Sequence, residues 1–149
     1  MSRRIVLVLV ALGVLLLGGA AAYNYMFATT TSYANYTAPT FDAGATDEQN
    51  IFQLQSDLGN AAAEMAQLQD MASKLQFGKM KAMGRHLQEV AAELEPRLAD
   101  IEDPRAKKLL AQGIDGLRMV GEGSVELDRD KSMQGVNQVL GSFEKLNDR

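Results

Sequence analysis

His86 is the single histidine in a chain of 149 residues that holds no cysteine and no tryptophan. Thiolate metal sites, disulfides and cysteine nucleophiles are therefore excluded, and any Ser-His-Asp arrangement would rest on His86 alone. No serine stands in a nucleophile-elbow context and there is no glycine-rich phosphate loop, so the sequence reads as that of a non-catalytic protein rather than an enzyme. Two ligand sets do have suitable spacing. His86, Glu89 and Glu93 recur at steps of three and four, which places one imidazole and two carboxylates on one face of a helix. A di-iron bundle needs two Glu-x-x-His helices, and none occurs in that order. Met80, Met83 and His86 offer two thioethers and an imidazole, soft donors that suit copper(I). Against both sets stand ordinary roles. Met80 and Met83 fall on an apolar stripe, where methionine fills core gaps, while Glu89 and Glu93 are spaced to pair with Arg85 and Arg97. The expectation is no cofactor and no resident metal, with these residues as the candidates if a metal is bound.

Charge offers a second chemistry. Between Tyr23 and Ser73 there are six acids and no bases, whereas from Lys74 onward there are thirteen of each. Lys74, Lys79, Lys81 and Arg85 form a basic cluster before the next acid, Glu89. If the preceding acidic helix leads away from a membrane, this cluster sits at the far tip as a candidate site for an acidic partner or polymer. The competing reading is that the four bases pair with carboxylates on neighbouring helices. The net charge of −4 and the matching of bases by acids argue against nucleic acid as a partner.

The N-terminal residues decide where these groups would act. Arg3 and Arg4 precede eighteen residues, Ile5 to Ala22, without a charged or strongly polar side chain. At the helical rise this is roughly 27 Å, close to the thickness of a bilayer core. Ile5, Leu7, Leu9, Leu15, Leu16 and Leu17 supply the apolar body, Tyr23 and Tyr25 fall at headgroup depth, and no base recurs until Lys74. Residues 1–4 then read as cytoplasmic, 5–27 as a single-pass transmembrane signal-anchor, and the rest as extracytoplasmic, in a plasma or inner membrane. A cleavable signal peptide fits the same residues. Its h-region would be Ile5 to Leu17, with a helix break at Gly18-Gly19 and an A-x-A site at Ala20-Ala21-Ala22, releasing a secreted or periplasmic product.

Residues 28–45 are rich in Thr, Ser, Ala and Tyr without periodicity and read as a flexible linker. The alternative is a docking strip whose tyrosines Tyr25, Tyr33 and Tyr36 contact a partner. Helix signals begin at Thr46, where Thr46 and Gln49 fit a capping box. Ile51, Leu54, Leu58, Ala61, Met65, Leu68, Ala72 and Leu75 then form a heptad-like seam of the kind that pairs in coiled coils. A second stripe, Met80, Met83, Leu87, Val90 and Leu94, is out of phase with the first, so a turn is expected near Gln76-Phe77-Gly78, with Gly78 suited to a helix end. Pro96 should kink that helix, and Asp103-Pro104 should start the next. Glycines at 113, 116, 121 and 123 either permit close contact with a neighbouring helix or end this one near Gly121. The last stripe is Met133, Val136, Leu140, Phe143 and Leu146.

No segment reads as a strand. The expected fold is all-α: an N-terminal transmembrane or signal helix, then an antiparallel bundle of about four amphipathic helices over 46–149, at about 46–76, 79–101, 104–121 and 129–147. In outline this resembles the sensing domains of bacterial receptors, although no motif matches and the 149 residues hold neither a second span nor an output domain. Two functions follow. One is a membrane-tethered helical interaction or scaffold protein that contacts a protein partner, or a second copy, through helix 46–76 and the tip. The other is a cleaved binding module for a small apolar or metal ligand held in the core or the glycine-rich seam.

Overall fold

The computed structural model describes residues 18–27, 33 and 36–149. Residues 18–27 are helical (α1). They are followed by α2 (Asp47–Ser73), α3 (Phe77–Leu94), a 3-10 turn of helix η1 (Glu95–Asp100), α4 (Pro104–Glu126) and α5 (Arg129–Asn147). The described residues contain no strand, and the fold is all-α. None of the helices among the described residues is long and apolar enough to cross a membrane. Most of the apolar body proposed for the anchor, Ile5 to Leu17, lies outside the described residues.

Helix α2 starts at the capping box: Thr46 accepts from the Gln49 backbone N–H, and the Gln49 side chain accepts from that of Thr46. Its seam is buried at Ile51, Leu54, Leu58, Ala61, Met65 and Leu68, and Met71 then takes the place expected of Ala72. The seam thus faces the interior of its own bundle. Neighbouring helices run antiparallel. Asp57 and Glu64 of α2 meet Arg97 and His86 respectively, Glu95 meets Arg118 of α4, and Gln55 of α2 meets Asn147 at the end of α5. Leu54, Leu58, Met83, Leu87, Leu110, Ile114 and Leu117 are fully buried and form the centre of the core.

Two expectations fail for the same physical reason. Helix α4 does not end at Gly121 but continues to Glu126, and α5 does not bury Met133 and Leu140, which are 48% and 57% exposed. Instead α5 buries Gly135, Val139, Ser142 and Leu146. A Cβ on Gly135 would lie 2.6 Å from the Gly116 carbonyl oxygen, and one on Gly121 would lie 2.6 Å from that of Gly84. The backbones approach too closely for side chains at these glycines, so small residues share the contact faces with Val139 and Leu146, while Met133 and Leu140 are turned outward and Val136 and Phe143 pack at the edge of the core. The buried hydroxyls of Ser124 and Ser142 donate to the carbonyls of Val120 and Val139 within their own helices and carry no unmet polar cost.

Pro96 has no N–H to donate to the Ala92 carbonyl one turn back, and α3 accordingly gives way to η1 after Leu94. Asp103 caps α4 by accepting from Arg105 and Ala106. The α2–α3 and α4–α5 turns lie at one end of the bundle, and each closes with a backbone bond spanning five residues: Gln76 N–H to the Met71 carbonyl and Asp128 N–H to that of Gly123. The left-handed position in each is a leucine: Leu75 with φ 56° and Leu127 with φ 57°. Gly78, expected to mark the end of a helix, is instead buried in the first turn of α3. Glycine is the usual residue at such a cap, and an L side chain there costs about 1–2 kcal/mol.

Candidate functional site

The described part of the linker lies against the bundle. Tyr33, Tyr36, Ala38 and Phe41 are partly buried on the core, forming a strap along α2 and α3, and the Gln53 side chain donates to the Thr40 carbonyl. Beneath the strap, α2 presents two carboxylates one heptad apart, Asp57 and Glu64, and each meets a largely buried cationic or titratable side chain from across the groove. His86 Nε2 lies 2.7 Å from Glu64 Oε2, and Arg97 donates from one terminal nitrogen to Asp57 Oδ2 at 2.6 Å. The side chains of His86 and Arg97 are only 9% and 8% exposed.

Each pair is covered by an aromatic ring from the strap. Tyr33 stacks on the His86 imidazole with centroids 4.5 Å apart and planes 16° from parallel, and Tyr36 meets the same ring edge-on at 6.4 Å. The Arg97 guanidinium lies 4.5 Å from the Phe41 ring centroid, a cation–π contact strengthened by exclusion of water. Burial raises the Tyr33 phenol above its ordinary pKa, and the Glu64 charge adds to the effect. Tyr36 is likewise raised, first by burial and then by Asp57, with Arg97 opposing. His86 Nδ1 and the Nε and second terminal nitrogen of Arg97 are buried without a partner among the described residues. Comparisons with known protein families, with curated proteins and with solved structures gave no match.

Chemically, the arrangement is a latch. It joins an arginine and a histidine to two carboxylates under covering rings. The residues singled out for metal binding are drawn apart. His86 faces Glu64 of α2 rather than Glu89 or Glu93 of its own helix, Glu93 is exposed, Met83 is fully buried in the core, and Met80 is packed against the core. Among the described residues, no group of three or more His, Asp or Glu is placed to hold a metal ion. An open depression beside the strap is lined by Asp42, Gly44, Glu48, Gln49, Phe52 and Asp57, a wall of mixed polarity with one exposed ring.

Of the basic cluster, Lys74 pairs with Asp70 one turn back at 3.0 Å, which raises its pKa by the hydrogen bond and the charge of Asp70. Both side chains are largely exposed, and the pair adds little to stability. Lys79, Lys81 and Arg85 make no ion pair with a described residue. The cluster's position differs from the far tip expected of it. Phe27 of α1 meets Phe77, the first residue of α3, with ring centroids 6.1 Å apart. The basic turn therefore lies beside the N-terminal helix. Sequence reasoning missed Asp57, Glu64 and Phe41. The heptad step between the two acids was available as a signal, but nothing in the strap's spacing reveals which ring covers His86 and which covers Arg97.

Proposed function

We propose that the chain is a non-catalytic, membrane-tethered helical interaction or scaffold protein, anchored through residues 5–27 and holding its bundle on the extracytoplasmic side. The observation that carries this reading is that residues 18–27 form one helix that runs through Gly19 and Ala20-Ala21-Ala22. A helix through those residues, following an apolar run in the sequence, suits a retained anchor better than a segment cut after Ala22. A strap that commits three aromatic residues to two buried pairs also favours a bundle whose position relative to its anchor matters. With the α2 seam occupied inside the bundle, a protein partner meets other faces, of which the outer stripe of α5 with Met133 and Leu140 is one. The glycine-rich seam suggested as a ligand site is closed by backbone contact, which weakens the alternative of a released binding module.

The test is intact mass measured together with membrane fractionation of the protein expressed from Met1. The full-length chain is expected in the membrane pellet after carbonate extraction. A soluble product beginning at Tyr23 would contradict the reading and favour the secreted or periplasmic module.

A further inference from the structure

The two ends of the bundle are built differently. At one end, Asp47 accepts from the backbone N–H groups of Glu102 and Asp103, Arg149 bridges Glu48 and Asp103, and the apolar Ile101 is 2% exposed. At the other end, the two turns expose Leu75 and Leu127, at 51% and 40%, in the left-handed conformation where glycine is the usual choice. Burial does not account for leucine at either place. The same end carries Phe27 on Phe77, and Tyr23 and Tyr25 stand 64% and 55% exposed on α1. Lys74, Lys79, Lys81 and Arg85 surround the α2–α3 turn.

We infer that the α2–α3 corner of the bundle rests on the surface of the bilayer that holds the N-terminal run, with Leu75 among the headgroups and Lys79, Lys81 and Arg85 against anionic phospholipid. The inference rests on the membrane-tethered reading. Three features select a lipid surface as the occupant. The apolar run Ile5 to Ala22 is continuous in sequence with α1, and α1 touches the first residue of α3, so no slack separates the turn from the bilayer. Tyrosines and an exposed leucine suit the headgroup layer. Basic clusters beside a span attract anionic lipid over a range of about 8 Å at physiological salt. The α4–α5 corner at the same end carries Glu122, Glu126, Asp128 and Asp130 against Arg129 and Lys131. The bundle consequently leans with the α2–α3 corner lowest and Leu127 held higher.

Because the chain contains no cysteine, a single introduced cysteine reports one place. The full chain is reconstituted in vesicles of equal parts phosphatidylcholine and phosphatidylglycerol containing a headgroup-nitroxide lipid. A fluorophore is placed in turn on Tyr23→Cys, Leu75→Cys, Leu127→Cys and Glu102→Cys. Strong quenching is expected at positions 23 and 75, weaker quenching at 127 and none at 102. Quenching at 75 should fall about twofold or more in vesicles of phosphatidylcholine alone. It should fall likewise when Lys81→Glu and Arg85→Glu are added, with helical content unchanged. Strong quenching at 23 with none at 75 overturns the inference while leaving the anchor in place. Absence of quenching at 23 removes the anchor itself, and this inference with it.

Discussion

The latch beneath the strap depends on individual charges. Arg97 is nearly buried, its one described carboxylate partner is Asp57, and two of its nitrogens lack any described partner. Removing Asp57 leaves a guanidinium in a low-dielectric site with only the Phe41 ring to face it. Asp57→Ala should therefore destabilise the protein by about 3–5 kcal/mol in urea unfolding. Replacing both partners with leucine should recover much of that loss, because the desolvation penalty is removed together with the attraction. Equal losses for the single and double variants would show that Asp57 acts through packing. The tyrosines supply a pH test. A phenol whose pKa is raised by folding contributes stability that is fully present below its unfolded value of about 10 and is lost as pH rises through the higher folded value. Tyr33 and Tyr36 should therefore ionise late in an ultraviolet titration. Changing both to Phe should remove those late transitions without removing the rings that cover the groove.

At the scale of helices, the sequence was most legible where large apolar side chains fill the core. The stripe from Ile51 to Leu68 and the stripe of Met83, Leu87, Val90 and Leu94 are buried as their spacing requires. Legibility failed where contact is made by the absence of a side chain. Gly135 and Ser142 share the buried face of α5 with Val139 and Leu146, and a count of large apolar residues finds Leu146 but also selects the exposed Met133 and Leu140. It failed again at the turns, where the left-handed residues are Leu75 and Leu127 rather than glycine. The strap escaped for a third reason: Tyr33, Tyr36 and Phe41 are spaced by their individual targets, not by a helical or strand period. The glycines give a paired prediction. Gly135→Ala should cost about 1–3 kcal/mol, since the new Cβ would meet the Gly116 carbonyl and, at 2.7 Å, the Val120 nitrogen. Gly141→Ala should gain about 1 kcal/mol, since nothing lies within 4 Å of its Cβ. Similar effects of the two changes in thermal unfolding would mean that α4 and α5 are not in backbone contact.

At the scale of the whole molecule, the strap turns the chain back on itself. Tyr33, Tyr36 and Phe41 lead from the α1 side of the bundle along α2 and α3, so the N-terminal helix lies beside the turn at Lys74 while the start of α2 lies at the opposite end. A docked strap would hold the bundle at a fixed position relative to α1, whereas a free tether would let it swing. These two states differ in one distance. Tyr25 lies near the C-terminal end of α2, and Glu102 is bonded to Asp47 at its N-terminal end. The two are therefore separated by about the length of that helix, roughly 40 Å for 27 residues. A free linker between Phe27 and Thr46 would give a broad distribution on the order of 25 Å between its own ends. The decisive measurement is the spin-label distance distribution between Tyr25→Cys and Glu102→Cys in the full chain. A docked strap predicts one narrow peak near about 40 Å, which broadens when Tyr33, Tyr36 and Phe41 are replaced by alanine. A broad distribution in the unaltered strap, unchanged by those replacements, would contradict it.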